Sequence, residues 1–166
     1  QKFFELALTA QQKDSLYNLS LNGGSGKYGF LDIIDNYGST DAANLAHYYA
    51  GMAYLNLKDY QNAIEQLDAY TGGDEMTGPL AQGAIGDAFV QLDQPGEALK
   101  YYEKAVSMSD NEVTAPRFLL KAGITAMNVG KADVAIKHFN TLSEKYEGKP
   151  EANKAKLYIG KAEAMK

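Results

Sequence analysis

The sequence predicts an all-α fold in which antiparallel helix pairs stack as a solenoid of about nine helices. Three observations lead to this class: glycines recur in one register, apolar residues recur at helical spacing, and turn-forming residues separate the helical stretches. The phased glycines, spaced 35, 37 and 37 residues apart, are Gly51, Gly86, Gly123 and Gly160. Such a register indicates a repeated structural unit.

Each repeated unit has the pattern of a helical hairpin. Apolar residues at helical spacing predict paired helices over residues 44–57, 60–70, 79–92, 96–108, 116–129 and 132–146. An alanine stands twelve residues after each of the first three glycines, and a large apolar residue follows four residues later: Leu67, Tyr102 and Phe139. We expect these glycines, and Gly160 with them, to lie where paired helices approach closely.

The breaks between the predicted helices contain turn-forming residues. Within the pairs they are Lys58-Asp59, Asp93 to Gly96, and Gly130-Lys131. Between the pairs, capping residues and stop signals occupy residues 71–74, 109–111 and 147–150.

The two ends of the chain extend the same pattern less regularly. The pattern over residues 1–43 predicts a diverged hairpin with helices near 2–21 and 27–36. The pattern over residues 151–165 predicts one last helix, which either caps the array or is the first helix of a truncated repeat. We therefore expect a single domain over residues 1–166, with this hairpin followed by repeats at 44–78, 79–115 and 116–152 and a final helix at 153–166.

Composition excludes several classes of function. The 166 residues suffice for one domain with its own core, and the absence of cysteine removes disulfides and thiolate chemistry. A formal charge of −5 has the wrong sign for binding a phosphate backbone, so nucleic acid is not expected as a partner. No motif indicates a cofactor.

The order of residue types within each unit resembles the tetratricopeptide repeat family. That family has a small residue at position eight, an aromatic at eleven, alanine at twenty and a large apolar residue at twenty-four, as in Gly51, Tyr54, Ala63 and Leu67. Ala126 departs from it, because an aromatic is usual there. The resemblance implies a right-handed solenoid that binds proteins and is not an enzyme.

The resemblance also implies where a partner would bind. The family lines a concave groove with positions two, five, nine, twelve and thirteen of each unit. Carried over in this way, these positions fall on Leu45, Tyr48, Met52, Leu55 and Asn56, on Leu80, Gly83, Asp87, Val90 and Gln91, and on Arg117, Leu120, Ile124, Met127 and Asn128. All of them except Asn56, Gly83, Gln91, Arg117 and Asn128 are the candidate partner-binding residues. This groove is apolar and contains methionine, which suits an amphipathic helix or an extended apolar segment of a partner protein or peptide. Tyr48 is the aromatic expected to touch the partner, and Gly83 is expected to open the groove.

Two alternatives compete with a partner-binding groove. The same residues could pack against the chain's own first or last helix, or they could be buried in a homodimer.

The sequence lacks the Lys and Asn side chains with which chaperone-binding family members hold a peptide C-terminus. The positions of that clamp hold Tyr48 and Met52, Gly83 and Asp87, and Leu120 and Ile124.

A finer resemblance concerns the run from Gly29 to Tyr37 and the segment that leads to Gly51. These stretches are similar to bacterial envelope proteins of the family, either those anchored beside the Sec translocon or the Tol-Pal accessory proteins. That similarity implies a periplasmic or envelope location, with an anchor or signal preceding this chain. A cytoplasmic location is the alternative.

One motif matches the letters of a nucleotide-binding pattern, and a nucleotide site is therefore the remote alternative. Gly24 to Gly29 reads G-x-G-x-x-G, but a dinucleotide fold requires a preceding strand and a βαβ unit that the pattern does not predict. We expect a loop between helices there.

Other ionisable residues favour structural roles. His47 and His138 lack neighbours at metal-ligand spacing, and pairs such as Asp32/Asp35, Glu65/Asp68 and Asp74/Glu75 suit helix caps and solvated faces. The aromatics expected to pack between helices are Tyr54, Tyr60, Phe89, Tyr102 and Phe139.

Overall fold

A computed structural model describes residues 9–166 and contains nine α-helices within them. They are α1 (Ala10–Asn22), α2 (Phe30–Tyr37), α3 (Asp41–Asn56), α4 (Tyr60–Ala69), α5 (Thr77–Gln91), α6 (Pro95–Met108), α7 (Thr114–Asn128), α8 (Ala132–Lys145) and α9 (Pro150–Glu163). No strand occurs in residues 9–166, where the only β-pairing is an isolated bridge between Gly24 and Lys27. The predicted all-α class of antiparallel helix pairs is confirmed. Residues 2–8 of the predicted first helix lie outside the described residues.

The chain divides into two compact units between Tyr70 and Thr71. Unit 1 contains α1 to α4, and unit 2 contains α5 to α9. The division falls at the break predicted between repeats at residues 71–74. The single domain and its repeat boundaries stay a prediction.

Capping side chains make α5 and α7 begin two residues before their predicted starts. The Asp74 carboxylate accepts hydrogen bonds from the backbone N–H groups of Met76 and Thr77, at 2.9 and 2.7 Å. One repeat later, the Asn111 side-chain oxygen accepts a hydrogen bond from the Thr114 N–H at 2.7 Å. Such bonds satisfy N–H groups that have no partner inside the helix. The N–H donors of Thr77 and Met76 lower the pKa of Asp74.

The turn inside each pair places one residue in the left-handed region. These residues are Lys58 (φ 63°), Asp93 (φ 56°) and Gly130 (φ 73°), which stand at equivalent positions of successive repeats. The N–H of the next residue then donates to a carbonyl in the last turn of the first helix: Asp59 to Tyr54, Gln94 to Phe89 and Lys131 to Ala126, at 2.9, 2.9 and 2.8 Å. This is the Schellman geometry, which favours glycine at the left-handed position.

The phased glycines allow the two helices of a pair to touch. A Cβ on Gly51 would lie 2.4 Å from Leu67 Cγ, and a Cβ on Gly86 would lie 2.6 Å from Tyr102 Cε1. Gly123 bears the same relation to Phe139. Within residues 9–166 the prediction is wrong for Gly160, which is exposed and has no atom near its Cβ position.

Each unit has its own core. In unit 2 the largest fully buried side chains include Phe118, Phe139 and Leu142, and in unit 1 they include Leu21 and Leu67. The aromatics predicted to pack between helices are all at least half-buried. Tyr102 and Phe139 are buried, and Tyr54, Tyr60 and Phe89 are half-buried. Alanines fill most of the remaining buried helix positions, so the helix backbones lie close together.

Polar contacts one repeat apart link successive pairs in unit 2. His138 Nε2 lies 3.1 Å from Glu103 Oε1, and Lys145 Nζ lies 2.5 Å from Asp110 Oδ2. The Tyr146 hydroxyl donates to Asp110 Oδ1 at 2.7 Å. Burial and the Asp110 carboxylate raise the pKa of Tyr146 to about 12, while hydrogen bonds from Lys145 and Tyr146 lower the pKa of Asp110.

Candidate protein-binding face

The predicted groove residues of unit 2 lie on the first helices of its pairs, α5 and α7. Val90 is 43% exposed. The others are half-buried, and their positions are Leu80, Asp87, Leu120, Ile124 and Met127. Leu80, Leu120, Ile124 and Met127 also pack partly against the core of the unit. These predicted groove residues are therefore partly accessible to a partner and partly involved in packing the core of unit 2.

Two of these residues meet at one cavity. Val90 of α5 and Ile124 of α7 line a space of about 200 Å³. The other lining residues are Pro95, Tyr102, Lys121, Thr125 and Asn128. The cavity is smaller than the usual 300–1,000 Å³ of a small-molecule site, and its size suits one protruding side chain.

Lys121, Ile124 and Asn128 recur along α7 at helical spacing, and Arg117 extends the same stripe one turn earlier. We call this stripe of Arg117, Lys121, Ile124 and Asn128, together with Val90 of α5, the front face of unit 2. Arg117 and Asn128 are exposed.

A buried hydroxyl and an ion pair fix the polar side of the cavity. The Tyr102 hydroxyl donates to Asp87 Oδ1 at 2.6 Å, and the Lys121 ammonium donates to the same oxygen. Burial, followed by the Asp87 carboxylate, raises the pKa of Tyr102, which therefore stays a neutral donor. Asp87 thus holds Lys121 in place beside the cavity.

Gly83 does not open a groove. A Cβ on this residue would lie 1.9 Å from Phe118 Cε1, so the Phe118 ring of α7 covers the glycine, and both residues are buried. The prediction is wrong because the aromatic that fills the site comes from the next pair, 35 residues later. Gly83 lets α7 approach α5 instead.

In unit 1 the predicted groove residues lie on α3. Leu45 is 43% exposed, and Tyr48, Met52 and Leu55 are half-buried. The Tyr48 ring lies 5.4 Å from the Tyr49 ring and 5.3 Å from the Tyr70 ring, measured between centroids. Tyr48 is therefore part of an aromatic cluster within unit 1.

Sequence reasoning missed two residues of unit 2. Lys121 lines the cavity, although its position next to Leu120 is not one of the carried-over groove positions. Leu157 of α9 is 73% exposed and stands 37 residues after Leu120, at the same position of the repeat. The 37-residue spacing from Gly123 to Gly160 would have placed Leu157 at the position equivalent to Leu120.

Backbone hydrogen bonds connect the two sides of the loop from Gly24 to Gly29. Gly24 N–H donates to the Lys27 carbonyl and Lys27 N–H to the Gly24 carbonyl, at 3.1 and 3.0 Å. The Gly29 N–H donates to Asp32 Oδ2 at 2.9 Å, so the start of α2 already faces a carboxylate. A phosphate-binding loop needs such N–H groups free and aimed at the ligand. These three N–H groups of the loop are therefore already occupied within the chain.

The two histidines belong to different units, and each has its own partner. His47 Nδ1 lies 2.8 Å from Gln66 Oε1 in unit 1, whereas His138 contacts Glu103 in unit 2. Within residues 9–166 no cluster of three or more His, Cys, Asp or Glu side chains has the arrangement to hold a metal ion. In the same part of the chain, no helix combines the length and hydropathy needed to span a bilayer.

Comparisons with known family models identify the type of repeat. Two family models described as tetratricopeptide repeats match, one over residues 81–112 and the other over residues 31–75 and 120–166. No curated protein matches the sequence. A solved structure, described as the crystal structure of MamA protein, is similar with a TM-score of 0.47 and 18% identity, covering 93% of this chain and 92% of that chain. The second model covers more than half of the residues, and the chain belongs to the tetratricopeptide repeat family.

Proposed function

We propose that the protein is a non-catalytic interaction module that binds a peptide or helix of a partner protein on the front face of unit 2. Membership of the tetratricopeptide repeat family supports a protein-binding scaffold in general. The observation that carries the finer proposal is the cavity of about 200 Å³ between Val90 and Ile124. An apolar side chain of the partner would enter it.

The chemistry around the cavity favours binding over catalysis. A catalytic base or acid needs a free group aimed at a substrate atom. Asp87 instead accepts hydrogen bonds from Tyr102 and Lys121. The front face thus supplies an apolar anchor site with polar residues at its edge, which is the usual anatomy of a protein interface.

The proposal is tested by affinity capture from cells of the native organism. Val90→Glu together with Asn128→Glu places two charges at the cavity while changing exposed side chains. The matched control, Val113→Glu with Asn140→Glu, makes the same changes at exposed residues away from the cavity. Circular dichroism and thermal melting establish that both variants fold.

We expect the wild type and the control to retain the same partner proteins and the front-face variant to lose them. Equal retention by all three folded proteins would contradict the proposal. Light scattering over a dilution series tests the rival role in self-assembly, for which we expect a constant mass. A mass that falls on dilution, and that the front-face variant reduces to one chain, would favour a homodimer.

We also propose a bacterial envelope setting, supported by the resemblance of the run from Gly29 to Tyr37 to envelope members of the family. Fractionation of native cells tests this setting, with recovery in the periplasmic or membrane fraction expected. Recovery in the cytoplasmic fraction alone would contradict it.

A further inference from the structure

We propose that the front face of unit 2 recognises an acidic protein segment that carries an apolar anchor residue; this inference rests on the interaction function proposed above. The basic residues that carry it lie on α7 and α9. Arg117 and Lys121 belong to the front face, and Lys154 and Lys161 stand on α9, which packs against α7. Lys154 and Lys161 are 37 residues after Arg117 and Ile124, at equivalent positions of the next repeat.

The charge of this surface is opposite to that of the whole chain. The formal charge of the protein is −5, yet α7 contains Arg117 and Lys121 and no acidic residue. The carboxylate of Asp87, which contacts the cavity residues Tyr102 and Lys121, is paired with Lys121. A basic surface within an acidic protein attracts acidic partners and repels basic ones.

Three of these cations have no acidic neighbour to neutralise them. Among residues 9–166, no carboxylate lies within 4.0 Å of the charged groups of Arg117, Lys154 or Lys161. By contrast, Lys145 pairs with Asp110, and Lys149 pairs with Glu112 at 3.0 Å. The unpaired cations are therefore available to carboxylates of a partner.

Aromatic rings hold several of the cations in place. The Arg117 guanidinium lies 5.6 Å from the Phe118 ring centroid, and Lys121 Nζ lies 5.6 Å from that of Tyr102. Lys161 Nζ lies 5.3 Å from the Tyr158 ring centroid. Cations already positioned over rings lose less side-chain entropy when a partner binds.

The cavity supplies the second part of the recognition. Val90 and Ile124 give it apolar walls, and Lys121 stands at the same cavity. A phosphate backbone would meet the cations but leave the apolar walls without a matching group. A segment with acidic side chains around one aliphatic or aromatic residue satisfies both, so a protein segment is favoured over a nucleic acid.

The test measures fluorescence anisotropy of the full chain with three labelled peptides of equal length. All share the same leucine positions and an amidated C-terminus, and the residues between are glutamate, glutamine or lysine. We expect the glutamate peptide to bind about tenfold more tightly than the glutamine peptide, since several surface ion pairs act together. This preference should shrink at about 0.5 M salt because exposed charges are screened.

Charge-reversal variants locate the interaction. Arg117→Glu with Lys154→Glu should abolish or invert the preference for glutamate. The control, Lys137→Glu with Lys156→Glu, reverses two exposed lysines of α8 and α9 that lie outside the surface, and it should keep the preference. Because all four residues are exposed, both variants should fold like the wild type, which melting curves verify.

Three results would overturn the inference: no binding by any peptide, equal binding by all three, or loss of the preference in both variants. Tighter binding of a single-stranded oligonucleotide than of the glutamate peptide would also overturn it. The proposed function is judged separately by affinity capture with the Val90→Glu, Asn128→Glu variant. If that variant loses the native partners while the peptides show no charge preference, the interaction function stands and the acidic partner does not.

Discussion

Phe139 of α8 lies with its Cε1 atom 2.3 Å from the position that a Cβ would take on Gly123 of α7. The Phe139 ring therefore packs directly against the backbone of α7 at Gly123. Gly86 with Tyr102 and Gly51 with Leu67 repeat this relationship in the other pairs, always sixteen residues apart.

A Gly123→Ala substitution should destabilise the protein. The new methyl group would overlap the fully buried Phe139 ring, and such overpacking costs about 1–3 kcal/mol, more than the ~1 kcal/mol gained in helix propensity. Gly160→Ala is the matched control. It stands in open space, so it should stabilise α9 by up to about 1 kcal/mol. Urea unfolding measures both effects, and a shift of the midpoint in the same direction by the two substitutions would rule out the contact between Gly123 and Phe139 as the cause.

Glycine should be preferred at the left-handed position of each turn. Lys58→Gly and Asp93→Gly should each raise the free energy of unfolding by about 0.5–1 kcal/mol, because a side chain at positive φ is strained. Gly130→Ala should lower it by a similar amount. Thermal melting provides the comparison, and a loss of stability in either glycine variant would argue against this interpretation.

Alkaline pH should reveal the bond between Tyr146 and Asp110. The pKa of Tyr146 is about 12 in the fold against 10.0 for an unperturbed tyrosine, so the folded state favours the neutral hydroxyl. Its contribution to stability is full below about pH 10 and is lost as pH rises towards 12. Tyr146→Phe should therefore give a shallower fall in unfolding free energy over this range. An unchanged slope would rule out a contribution from Tyr146.

Acid should weaken the cap of α5. The pKa of Asp74 is lowered by the N–H donors of Thr77 and Met76, so its contribution is full above about pH 3.8 and is lost as pH falls through the folded value. Asp74→Asn should remain capped without titrating, and Asp74→Ala should melt lower at neutral pH. The equivalent Asn111→Ala should lose about 1 kcal/mol at neutral and acid pH alike. Identical acid profiles for wild type and Asp74→Asn would contradict the role of Asp74.

The loop from Gly24 to Gly29 should not bind nucleotide. Its Gly24, Lys27 and Gly29 N–H groups already donate within the chain. Titration of the protein with ATP and Mg²⁺ in a calorimeter should give only heats of dilution. Saturable binding that Lys27→Ala removes would restore the nucleotide alternative.

The helix pairs could be predicted from sequence because the decisive contacts recur at a fixed distance along the chain. Gly123 and Phe139 belong to one hairpin, so their spacing repeats visibly in the other pairs. The capping segments at residues 71–74 and 109–111 were also predicted, and Asp74 and Asn111 do bond to the N–H groups of Thr77 and Thr114. Only the starts of α5 and α7 were missed, each by two residues.

The candidate face could be predicted only in part. Val90 and Ile124 meet at one cavity as the register implies. By contrast, the ring that covers Gly83 belongs to Phe118 of the next pair, and the position of Lys121 depends on Asp87 and the Tyr102 hydroxyl. Contacts between pairs depend on how the helices stack, which spacing alone does not determine.

Photo-crosslinking in native cells shows whether the front face of unit 2 touches the partner. A photoreactive side chain replaces Asn128 at the cavity or Asn140 on α8, both of which are exposed. We expect a covalent partner adduct from position 128 and none from position 140. An adduct from position 140 alone, or equal adducts from both positions, would show that the partner does not bind at the front face.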